Sequence, residues 1–250
     1  MQQRRAARWW QRPKSMTLLP TALLLALLLL ALPGGEAWNN GAALRPPLGW
    51  ANWNLFGCNY TDSTFRQMAD AFVTSGLAGP GNPWEGAFML VQECIVPLGA
   101  RDPITHVVQP DATKFPHGLA DLSAFFHSRG LRAGIYTDVA AETCAGFEGS
   151  GRSKADPVGH WALDALTYAQ WGFDMIEADF CHVDDEGDDV TAHVLYSAAR
   201  DAIAAATAAT GRLITFYQCN WGAEAAWLWG PTTANVIRNT GDICSPGSIA

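Results

Sequence analysis

At 250 residues and 49% hydrophobic, with 24 glycines and 14 prolines, the chain holds enough apolar material for one large domain and the turn content of a loop-rich α/β protein, which excludes a disordered chain and argues against a helix bundle. Its formal charge of −8 excludes the clustered basic surface that phosphate binding needs, so nucleic acid is not an expected partner. Six cysteines without a CxxC pair fit a zinc site poorly, and no metal or other cofactor is expected.

The first residues read separately from the rest. Arg4, Arg5, Arg8, Arg12 and Lys14 precede an apolar run over 18–32, and Gly35-Glu36-Ala37 supplies small residues at the spacing a signal peptidase reads. A signal peptide over 1–37 is therefore expected, leaving 38–250. The run is interrupted by Pro20 and is shorter than the ~20 residues of a membrane span, so no stable membrane insertion is expected after cleavage. Residues 1–37 hold five of the 16 basic and one of the 24 acidic residues, so the remainder carries 11 basic against 23 acidic residues. The expected destination is the secretory pathway, ending outside the cell or in a vacuole or lysosome, where Cys58, Cys94, Cys144, Cys181, Cys219 and Cys244 can form structural disulfides. Asn59-Tyr60-Thr61 is a glycosylation sequon.

From Leu48 onward short apolar runs alternate with helix-period segments, the rhythm of parallel strands joined by crossover helices. A first strand is expected over 48–53. The helix after it carries Phe65, Met68, Ala69, Phe72 and Val73 on one face, opens near Thr61 and Asp62, and ends at Gly76. A second strand follows over 88–93, then an irregular loop over 102–116. A helix with the stripe Leu119, Leu122, Phe125 and Phe126 closes at Gly130, and a third strand covers 131–138. A long loop containing Cys144 leads to the helix of Trp161, Ala162, Ala165, Leu166 and Ala169, and then to a fourth strand in 174–181. The acidic loop 184–189 lacks EF-hand spacing and reads as a solvated turn. An Ala-rich helix over 190–210 ends at Gly211; strands five and six are expected over 213–219 and 236–243. The fold class is therefore α/β, a (β/α)8 barrel with about six of its eight units visible.

Parallel barrels carry their chemistry at strand C-termini, which singles out Asp179 after strand four and Asp242 at the end of strand six. If both face one mouth, they can flank a glycosidic bond at the ~5–5.5 Å separation of a retaining glycosidase, Asp179 as nucleophile and Asp242 as acid/base. The alternative is that each simply caps the helix after its strand.

Six motifs occur in order: Leu48 to Asn59 (LGWANWNLFGCN), Phe115-Pro116-His117-Gly118, Gly134 to Asp138 (GIYTD), Asp174 to Cys181 (DMIEADFC), Cys219-Asn220-Trp221-Gly222, and Arg238 to Ile243 (RNTGDI). Together, over about residues 47–244, they resemble glycoside hydrolase family 27, the melibiase group of α-galactosidases and α-N-acetylgalactosaminidases. The resemblance implies a carbohydrate substrate, Asp179 as nucleophile and Asp242 as acid/base. It also implies sugar contacts from Trp53, Tyr136 and Arg238, and disulfides joining Cys58 to Cys94 and Cys144 to Cys181; the pairing of Cys219 and Cys244 it leaves open.

The chain departs from the family pattern at four sugar-contact positions. Gln92 and Glu93 stand where a pair of aspartates is usual, Glu177 where a lysine precedes the nucleophile by two residues, and Asn220 where the galactosidases usually have glutamate. Glu177 shares a strand face with Asp179, and a like charge there is expected to raise the nucleophile's pKa unless Arg238 compensates. An α-galactosidase-like hydrolase is the leading expectation. A related α-glycosidase with changed sugar preference, or a carbohydrate-binding homologue without turnover, is the alternative.

Overall fold

The computed structural model describes residues 36–78, 81, 86–153, 156, 158–183 and 190–242. All of them fall within the compact unit Glu36–Ala250. The expected leader except for its last two residues, the acidic loop 184–189, Ile243 and Cys244 lie outside the described residues.

Six parallel strands pair in sequence order: β1 (Gly49–Ala51), β2 (Phe88–Val91), β3 (Arg132–Asp138), β4 (Met175–Asp179), β5 (Thr215–Cys219) and β6 (Val236–Arg238). Helices cross between them, so this is a partial (β/α)8 barrel. Every strand is shorter than its expected range, and the difference moves site residues off their strands. β6 stops at Arg238 rather than running to 243, so Asp242 lies four residues beyond its strand; β1 stops at Ala51, and Trp53 opens a short helix, Trp53–Phe56. A strand's end is set by backbone pairing with its neighbour, which the residue types alone do not define.

The period of two divides each strand between two surfaces. One face, with Met89, Val91, Ala133, Ile135, Ile176, Ala178 and Phe216, packs under the helices and forms the main core. Phe88, Leu90 and Met175 occupy the other face with Ala51 packed against them. Gly134 sits among these, where a Cβ would lie 2.8 Å from Leu90 Cδ1, so the glycine leaves room for the Leu90 side chain.

Local chemistry sets the helix ends. Helix Asp62–Thr74 begins with a reciprocal capping box between Thr61 and Thr64, and buries Phe65 and Ala69 against the sheet. Helix Ala192–Thr210 is capped by the Thr191 hydroxyl, which accepts from Val194 N, and terminates at Gly211 in the left-handed region. Helices Leu119–Ser128 and Trp161–Gln170 complete the outer layer. Arg101, from the long loop after β2, reaches Asp164 with two 2.8 Å hydrogen bonds and pairs with Glu148, fixing that loop to helix Trp161–Gln170. No helix among the described residues is long and apolar enough to cross a membrane.

Candidate active site

Parallel register carries the site. Tyr136 lies opposite Glu177, Glu177 opposite Tyr217, and Asp138 opposite Asp179, so residues from β3, β4 and β5 form successive rows at the strand C-termini. On β4 the period of two puts Glu177 and Asp179 on one face.

Asp179 is 9% exposed. Its Oδ2 accepts from the Tyr136 hydroxyl at 2.9 Å and its Oδ1 accepts from Phe180 N at 3.0 Å. Burial pushes its pKa up to about 6; the hydrogen bonds from Tyr136, Phe180 and the Cys219 thiol oppose the rise, and the charge of Asp242 adds to it. The segment after it is pinned twice. Cys181 is disulfide-bonded to Cys144, and Cys181 N donates to Asp138 Oδ2 at 3.0 Å. Asp138, fully buried, also accepts from Ala140 N at 2.8 Å. The Tyr136 hydroxyl lies 3.3 Å from Cys144 Sγ, so the same disulfide abuts the group that holds the nucleophile candidate.

Glu177 departs from expectation. Burial pushes its pKa up to about 8; the Gln92 amide and Arg238 lower it, while Asp179 and Glu93 raise it. Burial is likewise the first cause of the rise at Asp179. Gln92 Nε2 donates to Glu177 Oε2 at 2.5 Å, across the intervening β3. Arg238 pairs with Asp242, whose side chain is half exposed, and lies 3.5 Å from the buried free thiol of Cys219.

The remaining predicted sugar contacts fall into two groups. Trp53 is 42% exposed at the β1 end. Glu93 and Asn220 instead spend their side chains on the protein. Glu93, with φ of 55°, accepts from Thr143 Oγ1 at 2.6 Å and Ala145 N at 3.1 Å, holding the loop that carries Cys144. Asn220 donates to Ala223 O at 3.1 Å and accepts from Gln218 Nε2 at 3.3 Å. Cys58 and Cys94 are bonded, joining the ends of the β1 and β2 segments.

Three supporting residues have no site role in the sequence analysis: Asn52, Asp138 and Cys219. Asn52, wholly buried, accepts from Gln92 N at 2.7 Å and donates to Gln92 O at 2.9 Å, so it places both Gln92 and the neighbouring Trp53. Each lies at a strand C-terminus, which was the available signal. Among the described residues, two clusters have metal-like composition. In one, Cys144 and Cys181 are consumed by their disulfide; in the other, Asp62 and Asp121 are paired to Arg66 beside His117. A separate cavity of about 670 Å³, lined by Arg132, Asp174 and Arg212, opens at the opposite end of the strands and shares no residue with this site.

A parallel β/α barrel with carboxylates collected at its strand C-termini defines a barrel of the glycosidase type. Residues 45–245 match the family model Melibiase_2, described as Alpha galactosidase A. The chain is 38% identical to alpha-galactosidase A of Cellvibrio japonicus over 201 residues, covering 80% of this chain and 44% of that protein. Its fold matches alpha-galactosidase I of Mortierella vinacea at a TM-score of 0.70 and 32% identity, covering 82% of this chain and 48% of that one. It also matches the Saccharomyces cerevisiae α-galactosidase solved with raffinose, at a TM-score of 0.69 and 26% identity, over 83% of this chain and 42% of that one. The chain belongs to the melibiase family, glycoside hydrolase family 27. It spans about half the length of the curated relatives it matches.

Proposed function

We propose that this chain carries the catalytic strands of a retaining α-glycosidase that removes terminal α-linked galactose. The observation that carries this reading is Asp179, a buried carboxylate at the end of β4 held in place by Tyr136, with Arg238 ending β6 and Asp242 four residues beyond it. Asp179 attacks the anomeric carbon and the bond to the leaving oxygen breaks, while Asp242 gives that oxygen its proton. Asp242 then takes a proton from water, whose oxygen displaces the Asp179 carboxylate from the sugar, so two inversions leave the configuration retained. Trp53 offers an apolar ring for stacking on the sugar, and Tyr136 and Arg238 offer hydroxyl contacts.

A family relationship to proteins named α-galactosidases supports galactose as the substrate. A second reading, an α-glycosidase with a changed sugar preference, is supported by Gln92 bonding Glu177 and by Glu93 and Asn220 bonding within the protein. Aryl α-glycosides separate the two: turnover of the galactoside supports the first, and inertness toward it with turnover of another sugar supports the second. Asp179→Asn should lower galactoside hydrolysis by roughly 10⁴-fold or more, since it removes the nucleophile. Full activity in that variant would overturn the mechanism. We also propose that residues 1–37 are removed on secretion, which suits a chain with two disulfides. The N-terminal residue of the mature protein checks this.

A further inference from the structure

We propose that Glu177 works as a neutral carboxylic acid, donating a hydrogen bond from Oε1 to a hydroxyl of the sugar bound over Asp179, and so positions and selects the substrate. The proposal deepens the glycosidase reading and rests on it.

Geometry places the proton. Glu177 is 3% exposed, so its carboxyl group has little water to solvate a charge. Its Oε2 accepts from the Gln92 amide at 2.5 Å, which assigns any carboxyl proton to Oε1. Oε1 has no hydrogen-bond partner among the described residues, and Glu177 makes no ion pair among them. Oε1 is not among the enclosed side-chain polar atoms that lack a partner, so it keeps an opening, and on the face it shares with Asp179 a sugar hydroxyl would accept from it.

The surroundings hold more acids than cations, and of the neighbours only Gln92 and Arg238 favour the ionised form. From the β2 end come Gln92, which is uncharged, and Glu93; from β3 come Tyr136 and Asp138; Asp179 lies on β4 itself. β5 presents Tyr217 and Cys219, and the β6 segment Arg238 and Asp242. The single cation of this group is engaged with Asp242 and Cys219. Glu93, Asp138, Asp179 and Asp242 leave no counter-charge for a fifth carboxylate. Consistent with this, burial holds Glu177 neutral until about pH 8, above which the donor is lost and a negative charge appears beside Asp179.

Infrared difference spectra of wild type minus Glu177→Gln, near neutral pH and on the full chain, should show the carbonyl band of a protonated carboxyl that disappears as pH rises through about 8. Gln92→Met should move that disappearance to higher pH, because the amide hydrogen bond favours the ionised form. With an aryl α-galactoside, Glu177→Gln, which keeps a donor, should raise KM about twofold, and Glu177→Met about tenfold with kcat changed less, the pattern of a lost binding hydrogen bond. An absent band, a downward shift in Gln92→Met, or equal damage by Gln and Met would overturn the proposal. If wild type does not hydrolyse the galactoside, the glycosidase reading fails; the band still decides the protonation, and calorimetry with galactose decides the contact by the same order of affinity losses.

Discussion

The two carboxylates assigned to the reaction sit in unlike surroundings. Asp179 is held by a tyrosine and a backbone N–H, backed by a disulfide and by Asp138 clamping the next turn. Asp242 is half exposed, lies four residues past the last strand, and has Arg238 as its ion-pair partner. A nucleophile must approach carbon along one line, so a rigid setting favours it; an acid/base must meet a leaving group in one step and water in the next, and an open setting allows both. The proposed nucleophile is thus built into the sheet, and its proposed partner is placed by a loop at the sheet edge.

Changes at the two ends should differ in kind. Asp242→Asn should lower hydrolysis of substrates with poor leaving groups by about 10²–10⁴-fold, and much less when the leaving group is an acidic phenol that needs no proton. An equal loss on both substrates would remove Asp242 from the acid/base role. Replacing Cys144 and Cys181 by serine should cost about 4 kcal/mol of stability through the 37-residue separation they close, read as a lower denaturant midpoint. A variant of unchanged midpoint would mean that the nucleophile side does not depend on this clamp. The smallest expected effect is that of Tyr136→Phe, about 1 kcal/mol in kcat/KM, with a change in pH profile. Asp179 must be ionised to attack, so activity falls as pH drops through about 6; the Tyr136 hydrogen bond favours the charged form, so its loss should move this acid limb upward. A limb that stays in place or moves down would show that the tyrosine does not tune the nucleophile.

Much of the fold was legible because the signals are local. Apolar periodicity marks helices Asp62–Thr74 and Ala192–Thr210, Thr61 and Gly211 mark their ends, and apolar runs locate all six strands. Strand ends were less legible: β6 stops at Arg238, five residues short of its expected end, since pairing depends on the neighbour and not on the residues themselves. The same holds for the site. Sequence alone determined which residues stand at strand C-termini, among them Tyr136, Glu177, Asp179 and Arg238, because the alternation of two and the chain order do not depend on what packs nearby.

Only the tertiary structure decided what those residues do to one another. Gln92 and Glu177 are 85 residues apart and meet across a strand; Glu93 turns its carboxylate to the Thr143 loop instead of the mouth; Asn52 holds the β2 end by its backbone. Charge was the largest revision. From sequence, Glu177 reads as an anion set against the nucleophile, because a sequence carries no dielectric. Burial supplies it, and the cost of desolvating a carboxylate pushes the Glu177 pKa up to about 8.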